Sequence, residues 1–397
     1  MESLLLINSG MNLTENNPMQ LNNYILLVLM LLLLSCSSNA ITFRVFVPPG
    51  TDSVMVIGNI SDLGSWDHES ALPMQKIDDT TFTATLLITS AKQLEYKFTR
   101  GSWETEALNP DSSVPANHRT TLRKSTILQH RIYQWSDNVK RKASERTLGI
   151  TGNVIFHSDF YSPQLNNYRT VTVLLPPSYE DALQKHYPVL YLHDGQNVFS
   201  PWTSLSGNEW HLDETAAELT ANGDMKEIIM VAIDHGEDRT GEYSPKHKGN
   251  DYSIFLVETV KPWIDSTYRS LTGPENTAVM GSSMGGIISF HLGWEFDDIF
   301  GFAGCLSPAF LVDNKEIVKR VEDYSGNKKG CLFILYNGTE ELEAQLQPAV
   351  SEMIKILDRK GYIENRDYCY SIFDGATHTE LEWAKQSRII FTTFFKQ

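Results

Sequence analysis

Cysteine is scarce in this chain, four in 397 residues. Cys36, Cys305, Cys331 and Cys369 have neither zinc-type spacing nor the spacing of a disulfide framework. The last three sit inside GFAGCLS, CLFILYNG and YCYSIF, runs that read as buried strands in which a thiol serves as a small hydrophobe. Basic residues are also in short supply, Lys+Arg 33 against Asp+Glu 49, for a net charge of −16. A surface that acidic repels phosphate backbones and anionic headgroups, so nucleic acid is not an expected partner. Long apolar runs are missing except for Tyr24 to Leu34 (YILLVLMLLLL), about half of the roughly 20 residues that a membrane-spanning helix requires. Internal repeats and low-complexity tracts are absent.

That apolar run reads as the core of a signal peptide covering residues 1–40, although residues 1–23 lack the Lys or Arg that normally precedes such a core. Two processing sites follow it. Leu33-Leu34-Ser35-Cys36 fits a lipobox, with Cys36 as a lipid anchor, and Ser38-Asn39-Ala40 offers the small residues of ordinary cleavage. The expectation is export, as a cell-envelope lipoprotein or a freely secreted protein.

The rest has ordinary globular usage, with 41% apolar residues, and its length suggests two domains. From Ile41 to Trp135 short β-runs (ITFRVFV, SVMVIG, TFTATLLI, LEYKF, STILQHRI) alternate with turn residues, which predicts a small antiparallel all-β domain over 41–136. The polar, basic stretch NVKRKASER marks a linker over 137–147. From 148 to 397 strands alternate with helical patterns near 211–221, 252–268 and 284–296, the signature of an α/β fold with a mostly parallel sheet flanked by helices.

Gly281-Ser282-Ser283-Met284-Gly285, then Gly286, fits G-x-S-x-G between the apolar strand TAVM and the helical run IISFHLGWEF. A tight strand-to-helix turn there projects Ser283 outward as a nucleophile, and glycine is needed where a Cβ would meet backbone. The helix N-terminus leaves the Met284 amide unpaired and able to hold an oxyanion. A serine needs a base and an acid, in the chain order Ser, Asp/Glu, His. CLFILYNG runs into Thr339-Glu340-Glu341, which makes Glu341 or Glu340 the acid. YCYSIFDG leads to His378, the base, at the same sheet edge. The loop after VLYLHD contributes the Gln196 amide as second oxyanion donor, the competing reading being that His193-Asp194-Gly195 only turns the chain. No H-E-x-x-H or Cys/His cluster calls for a metal, the chemistry requires no cofactor, and His235-Gly236-Glu237-Asp238 reads as a solvated connection.

Taken together, RTVTVLLPPSYE, YLHDGQNVF, NEWHLDE, DRTGEYSP, VMGSSMGG, LSPAF, NGTEE and THTELEW resemble the esterase D/enterochelin esterase-like branch of the α/β-hydrolases over about 250 residues. The resemblance implies Ser283 as nucleophile and His378 as base, and aligns Glu341 with the acid, where many relatives carry Asp. Arg239, Glu242 and Tyr243 match a further block, read as ordering a loop.

In LEYKF, Leu94, Tyr96 and Phe98 face one way and Lys97 faces solvent. Trp66 and Trp103 lie in turn segments outside the β-runs, and residue type alone leaves two readings, core packing or exposed indoles stacking on sugar rings. GNISDLGSW, EYKF and RGSWE resemble the starch-binding, family-20 carbohydrate-binding module, an immunoglobulin-like sandwich over about 41–135. That resemblance implies one glucan site built from Trp66, Lys97 and Trp103, with Phe82 standing where many relatives have a second-site Trp.

The expectation is an exported serine esterase targeted to α-glucan. Phe199, Trp202, Trp210 and Tyr243 are candidates to line a pocket for an acyl or aromatic group. The alternatives are a siderophore trilactone esterase and a non-catalytic glycan-binding surface protein.

Overall fold

A computed structural model describes residues 39–88, 93–110, 115, 117–121, 125–138, 147, 149–204 and 206–397. The signal-peptide segment with Cys36, and most of the linker expected over 137–147, lie outside the described residues. The chain divides into two compact units. One takes residues up to Trp103 with Ala116–Tyr133, and the other takes Glu104–Pro115 with Gln134–Gln397.

In the first unit β1 (Asn39–Phe46), β4 (Gln75–Asp78), β5 (Thr81–Ile88) and β9 (Thr126–Arg131) form a sheet of order β4-β5-β1-β9. A second sheet, β3-β2-β6-β8, is built from β2 (Met55–Gly58), β3 (Leu72–Pro73), β6 (Gln93–Thr99) and β8 (His118–Thr121). Alternation along β6 buries Leu94, Tyr96 and Phe98 and leaves Glu95 and Lys97 half-exposed, as the pleat requires. Phe43 of β1 meets Tyr96 and Phe98 of β6 edge-on at 5.0 and 6.4 Å, so the two sheets pack face to face as a sandwich. Two short strands, β7 (Ala107–Leu108) and β10 (Gln134–Trp135), pair with each other and fall in the second unit. The compact sandwich therefore omits residues 104–115 and 134–136, which the alternation of β-runs had included.

The second unit carries β11 (Asn153–Ser162), β12 (Asn167–Leu175), β13 (Val189–His193), β14 (Ile229–Ile233), β15 (Thr277–Ser282), β16 (Phe302–Leu306), β17 (Leu332–Gly338) and β18 (Tyr368–Phe373). Their order is β11-β12-β14-β13-β15-β16-β17-β18, antiparallel at the β11–β12 and β12–β14 joints and parallel from β14 onward. β13, β14 and β15 are buried along their whole length because helices cover both faces, which is why they read as unbroken apolar runs. Those helices are α1 (Leu212–Asn222), α2 (Arg239–Tyr243), α3 (Gly249–Ile254), α4 (Lys261–Thr267), α5 (Met284–Glu295), α6 (Val312–Asp323), α7 (Leu342–Arg359), α8 (Glu380–Ala384) and α9 (Ser387–Phe394). Parallel register aligns His193 with Ile233, Ser282 with Leu306 and Leu306 with Tyr336. The segments that follow these strands therefore open at one edge of the sheet, where sites in such folds are assembled.

Candidate active site

Between β15 and α5 the backbone turns on Ser283, held at φ 56°, ψ −117°, a region a residue with a side chain seldom enters. The turn is locked rather than loose. Ser283 donates its N–H to Leu306 O at 2.9 Å, and its carbonyl accepts from Gly286, Ile287 and Ala309. The neighbouring glycines are obligatory: a Cβ on Gly281 would lie 2.5 Å from Gly285 O, and one on Gly286 would lie 3.0 Å from Pro308 Cα. The hydroxyl-bearing residue stays half-exposed while the two serine-motif glycines that flank it are buried.

His378 lies in the loop between β18 and α8. Its Nδ1 is 2.9 Å from Oε1 of Glu343, a carboxylate that is fully buried. This corrects the acid expected from chain order, Glu341 or Glu340. Glu340 is exposed, and Glu341 is the N-cap of α7 at φ 56°, ψ −123°, whereas the carboxylate at His378 Nδ1 is that of Glu343. The physical reason lies in the helix. The buried stripe of α7 is Leu346, Ala349, Val350, Met353, Ile356 and Leu357, and Glu343 falls three before Leu346 and seven before Val350. Glu343 therefore points under the helix toward the sheet, whereas Glu341 falls five before Leu346, off that face. This periodicity is present in the sequence, and it is the signal that distinguishes Glu343 from its two neighbours.

Glu343 has three donors. His378 and the Gly338 N–H (3.0 Å to Oε2) reach it, and the Ser307 hydroxyl is the third. Burial pushes its carboxyl up, but these hydrogen bonds and the charge of His378 outweigh burial and hold it below the ordinary carboxylate range. Ser307 also accepts from Trp383 Nε1 at 2.9 Å, and Trp383 packs edge-on against His378 with ring centroids 4.9 Å apart. The loop after β16 thus ties the backbone of the serine turn to both members of the His–Glu pair. Ser307 and Trp383 lie within the LSPAF and THTELEW blocks, but their residue types alone gave neither a role.

The loop after β13 abuts the serine turn: a Cβ on Gly285 would sit 3.3 Å from Asp194 Oδ2 and 3.5 Å from His193 Cβ. Asp194 adopts the left-handed conformation (φ 55°), and Gly195 behind it has no room for a Cβ, which would meet the Ala232–Ile233 backbone at 2.7 Å. Gln196 follows in a short 3₁₀ turn, its carbonyl accepting from the Thr203 hydroxyl at 2.6 Å. Asp194 is clamped by the Arg239 guanidinium through two bonds, 2.6 and 2.7 Å, and its N–H donates to the Tyr243 hydroxyl. Burial works against the Asp194 charge, and Arg239 more than offsets it, keeping the carboxyl below its usual range. Burial also depresses His193 to about 3, so its imidazole is neutral. One layer further out Glu242 pairs with the buried Arg169 at 3.0 Å and accepts from Asn167. The block containing Arg239, Glu242 and Tyr243 orders this loop, as expected. Met284 is the first residue of α5, where the helix offers its N–H no acceptor.

Of the four aromatics suggested as pocket lining, Phe199, Trp210 and Tyr243 are buried core, and Trp202 is 50% exposed on the loop hydrogen-bonded to Gln196. Cys305 and Cys331 are buried free thiols, as expected, whereas Cys369 is only half-buried.

In the sandwich, Trp66 and Trp103 come together with ring centroids 6.2 Å apart and planes tilted by 32°, and His68 stands edge-on to Trp103 at 4.7 Å. Both indoles are half-exposed, and among the described residues Trp66 Nε1 has no acceptor. Lys97 lies on the outer face of β6, opposite Ile57 of β2, the strand leading into the turn that carries Trp66. Phe82 is 1% exposed, a core residue rather than a surface platform.

Residues 38–126 match the family model of the starch binding domain, and residues 162–386 match that described as "Putative esterase". The chain is 24% identical over 238 residues to the uncharacterized protein YbbA of Bacillus subtilis (strain 168), which covers 55% of this chain and 89% of that one. Among solved structures, a ferulic acid esterase superposes with a TM-score of 0.52 at 22% identity, covering 61% of this chain and 98% of its own. The enterobactin esterase FES from Shigella flexneri superposes with a TM-score of 0.53 at 14% identity, covering 89% of this chain and 92% of its own. These likenesses agree with the α/β-hydrolase sheet. With the esterase model spanning more than half of the 397 residues, the chain belongs to the esterase family and is a carboxylic ester hydrolase carrying an N-terminal starch-binding domain.

Proposed function

We propose that this protein is an exported serine esterase in which Ser283, His378 and Glu343 form a Ser-His-Glu triad, brought to α-glucan by the N-terminal domain. The observation that carries the reading is the strained serine turn standing at the same sheet edge as a His378–Glu343 pair whose carboxylate is buried and charged. Ser283 attacks the ester carbonyl as His378 takes its proton, and the imidazolium returns that proton to the departing alcohol. Glu343 fixes the ring through Nδ1 and offsets the positive charge that develops on it. The amides of Met284 and Gln196 hold the oxyanion, and the Asp194–Arg239 clamp keeps Gln196 in place. Water then reverses the sequence on the acyl-enzyme. Trp202, half-exposed on the loop bonded to Gln196, offers a flat apolar face for an acyl group or sugar ring.

The paired Trp66 and Trp103 rings, together with Lys97 on the outer face of β6, supply the glucan site of an immunoglobulin-like sandwich. A trilactone esterase shares the triad but leaves this domain without a use. Export rests on the Tyr24–Leu34 run, with Cys36 or the Ser38-Asn39-Ala40 site completing it. The test is hydrolysis of p-nitrophenyl acetate by wild type and Ser283→Ala, followed by a choice between acylated oligosaccharides and a catecholate trilactone. Loss of at least three decades of rate in the variant, with preference for the oligosaccharide ester, is the expected result. Equal rates in both proteins would overturn the triad, and preference for the trilactone would overturn the glycan assignment.

A further inference from the structure

The loop entering α1 gathers charge that the ester chemistry does not use. His211, the N-cap of α1, has φ 49°, ψ 36° and gives no side-chain cap, and its own N–H donates to Glu209. His211 Nδ1 lies 2.5 Å from Glu209 Oε1 and 3.7 Å from Glu214 Oε2, and one ligand atom from each of the three residues fits within 4.8 Å of the others. Glu209 is 2% exposed, while His211 and Glu214 open to solvent on the other side.

A second observation points into the same cluster. Asp213 is 1% exposed, its Oδ2 accepts the Thr151 N–H at 2.6 Å, its Oδ1 has no hydrogen-bond partner, and its carboxyl abuts that of Glu214. Glu214 Oε2 is likewise buried without a donor in reach. Among the described residues no lysine or arginine pairs with Glu209, Asp213 or Glu214. The helix macrodipole offsets about half a charge. His211 offsets part of the Glu209 charge, and burial pushes the Glu209 and Asp213 carboxyls up, so ionising the cluster costs free energy that a cation standing among these groups offsets.

We infer that Glu209, His211 and Glu214 are the ligands of a divalent transition-metal site of zinc-like chemistry, with Asp213 backing Glu214. An imidazole nitrogen with two carboxylate oxygens suits Zn²⁺ better than Ca²⁺, which takes oxygen alone. Tetrahedral ligands about 2.1 Å from zinc stand about 3.4 Å apart, so Glu209 and His211 part by about an ångström on binding, which the exposed imidazole permits. The site is separate from the triad but not remote from it. Trp210, between two of the ligands, packs on Trp383 at 5.8 Å, and Trp383 packs on His378. The cation pins the loop that backs the wall of the base, and the assignment stands whether or not the triad reading does.

The experiment is calorimetric titration of the chelator-treated full chain with Zn²⁺ at pH 7.5, with Ca²⁺ in parallel, read together with Tm. One equivalent of Zn²⁺ binds at micromolar Kd and raises Tm by about 5 °C at a hundredfold excess over Kd, and Ca²⁺ does neither. His211→Ala and Glu214→Gln, both at solvent-open positions, weaken Zn²⁺ binding at least a hundredfold while the chelated Tm stays within about 2 °C of wild type. No binding below millimolar Zn²⁺, or binding left unchanged in both variants, overturns the site. Tighter binding of Ca²⁺ than of Zn²⁺ overturns the assignment of metal class.

Discussion

Replacing Glu343 by Gln keeps the side-chain volume and removes the charge beneath His378, which isolates the acid's contribution. With imidazole and carboxylate centres about 4 Å apart, the interaction is about 4 kcal/mol at an effective dielectric of 20. At 1.36 kcal/mol per decade that is about a thousandfold in kcat. Loss of the tautomer that presents Nε2 to Ser283 extends the fall toward about 10⁴. KM changes little, because the imidazolium exists only along the reaction path. The fold carries a separate cost: an amide NH₂ facing the Gly338 N–H leaves a buried donor unmet, about 1–3 kcal/mol. The pH dependence has a definite sign. Because the folded carboxyl titrates below its ordinary value of 4.5, its stabilisation is present above about pH 4.5 and disappears as pH falls through the depressed value. The Tm gap between wild type and Glu343→Gln is therefore full at pH 6 and closes toward pH 3. The assay is p-nitrophenyl acetate turnover beside near-ultraviolet circular dichroism, with Glu340→Ala and Glu341→Ala expected within about threefold of wild type. Retention of more than a tenth of kcat in Glu343→Gln, together with collapse in Glu341→Ala, would refute the assignment.

Other outcomes are equally specific. Arg239→Ala strands the Asp194 carboxylate, 3% exposed, and should cost about 3–5 kcal/mol of stability with a kcat deficit that Arg239→Lys restores only in part; urea melts and turnover check both. Glu341→Gly relieves a positive-φ position and should raise Tm by about 2–4 °C with turnover retained, as thermal melts will show. Trp66→Ala or Trp103→Ala should weaken retention on amylose at least tenfold without changing p-nitrophenyl acetate hydrolysis. Phe82→Ala should instead destabilise the sandwich by about 3–5 kcal/mol, visible in a denaturant titration, and leave any surviving amylose binding unaltered.

The local order of this protein was written in its residues. Period-2 runs dictated the sandwich strands, unbroken apolar runs flanked by helical patterns dictated the parallel sheet, and Gly281, Gly285 and Gly286 around Ser283 dictated the strained turn, because each depends only on near neighbours and on burial. His378 was also legible, from its position after a late strand. Tertiary structure alone decided what lies beneath that histidine. Three carboxylates stand within four residues at 340–343, and which of them meets the imidazole depends on the rotation of α7 against the sheet, set by Leu346 and Val350. Long-range packing likewise joined Asp194 to Arg239, 45 residues apart, and Ser307 to Trp383, 76 apart, contacts that no spacing announces. It also turned Phe199, Trp210 and Tyr243 into core while leaving Trp202 in solvent. Residue type sets what a side chain can do, and the packing of distant segments sets which partner it meets.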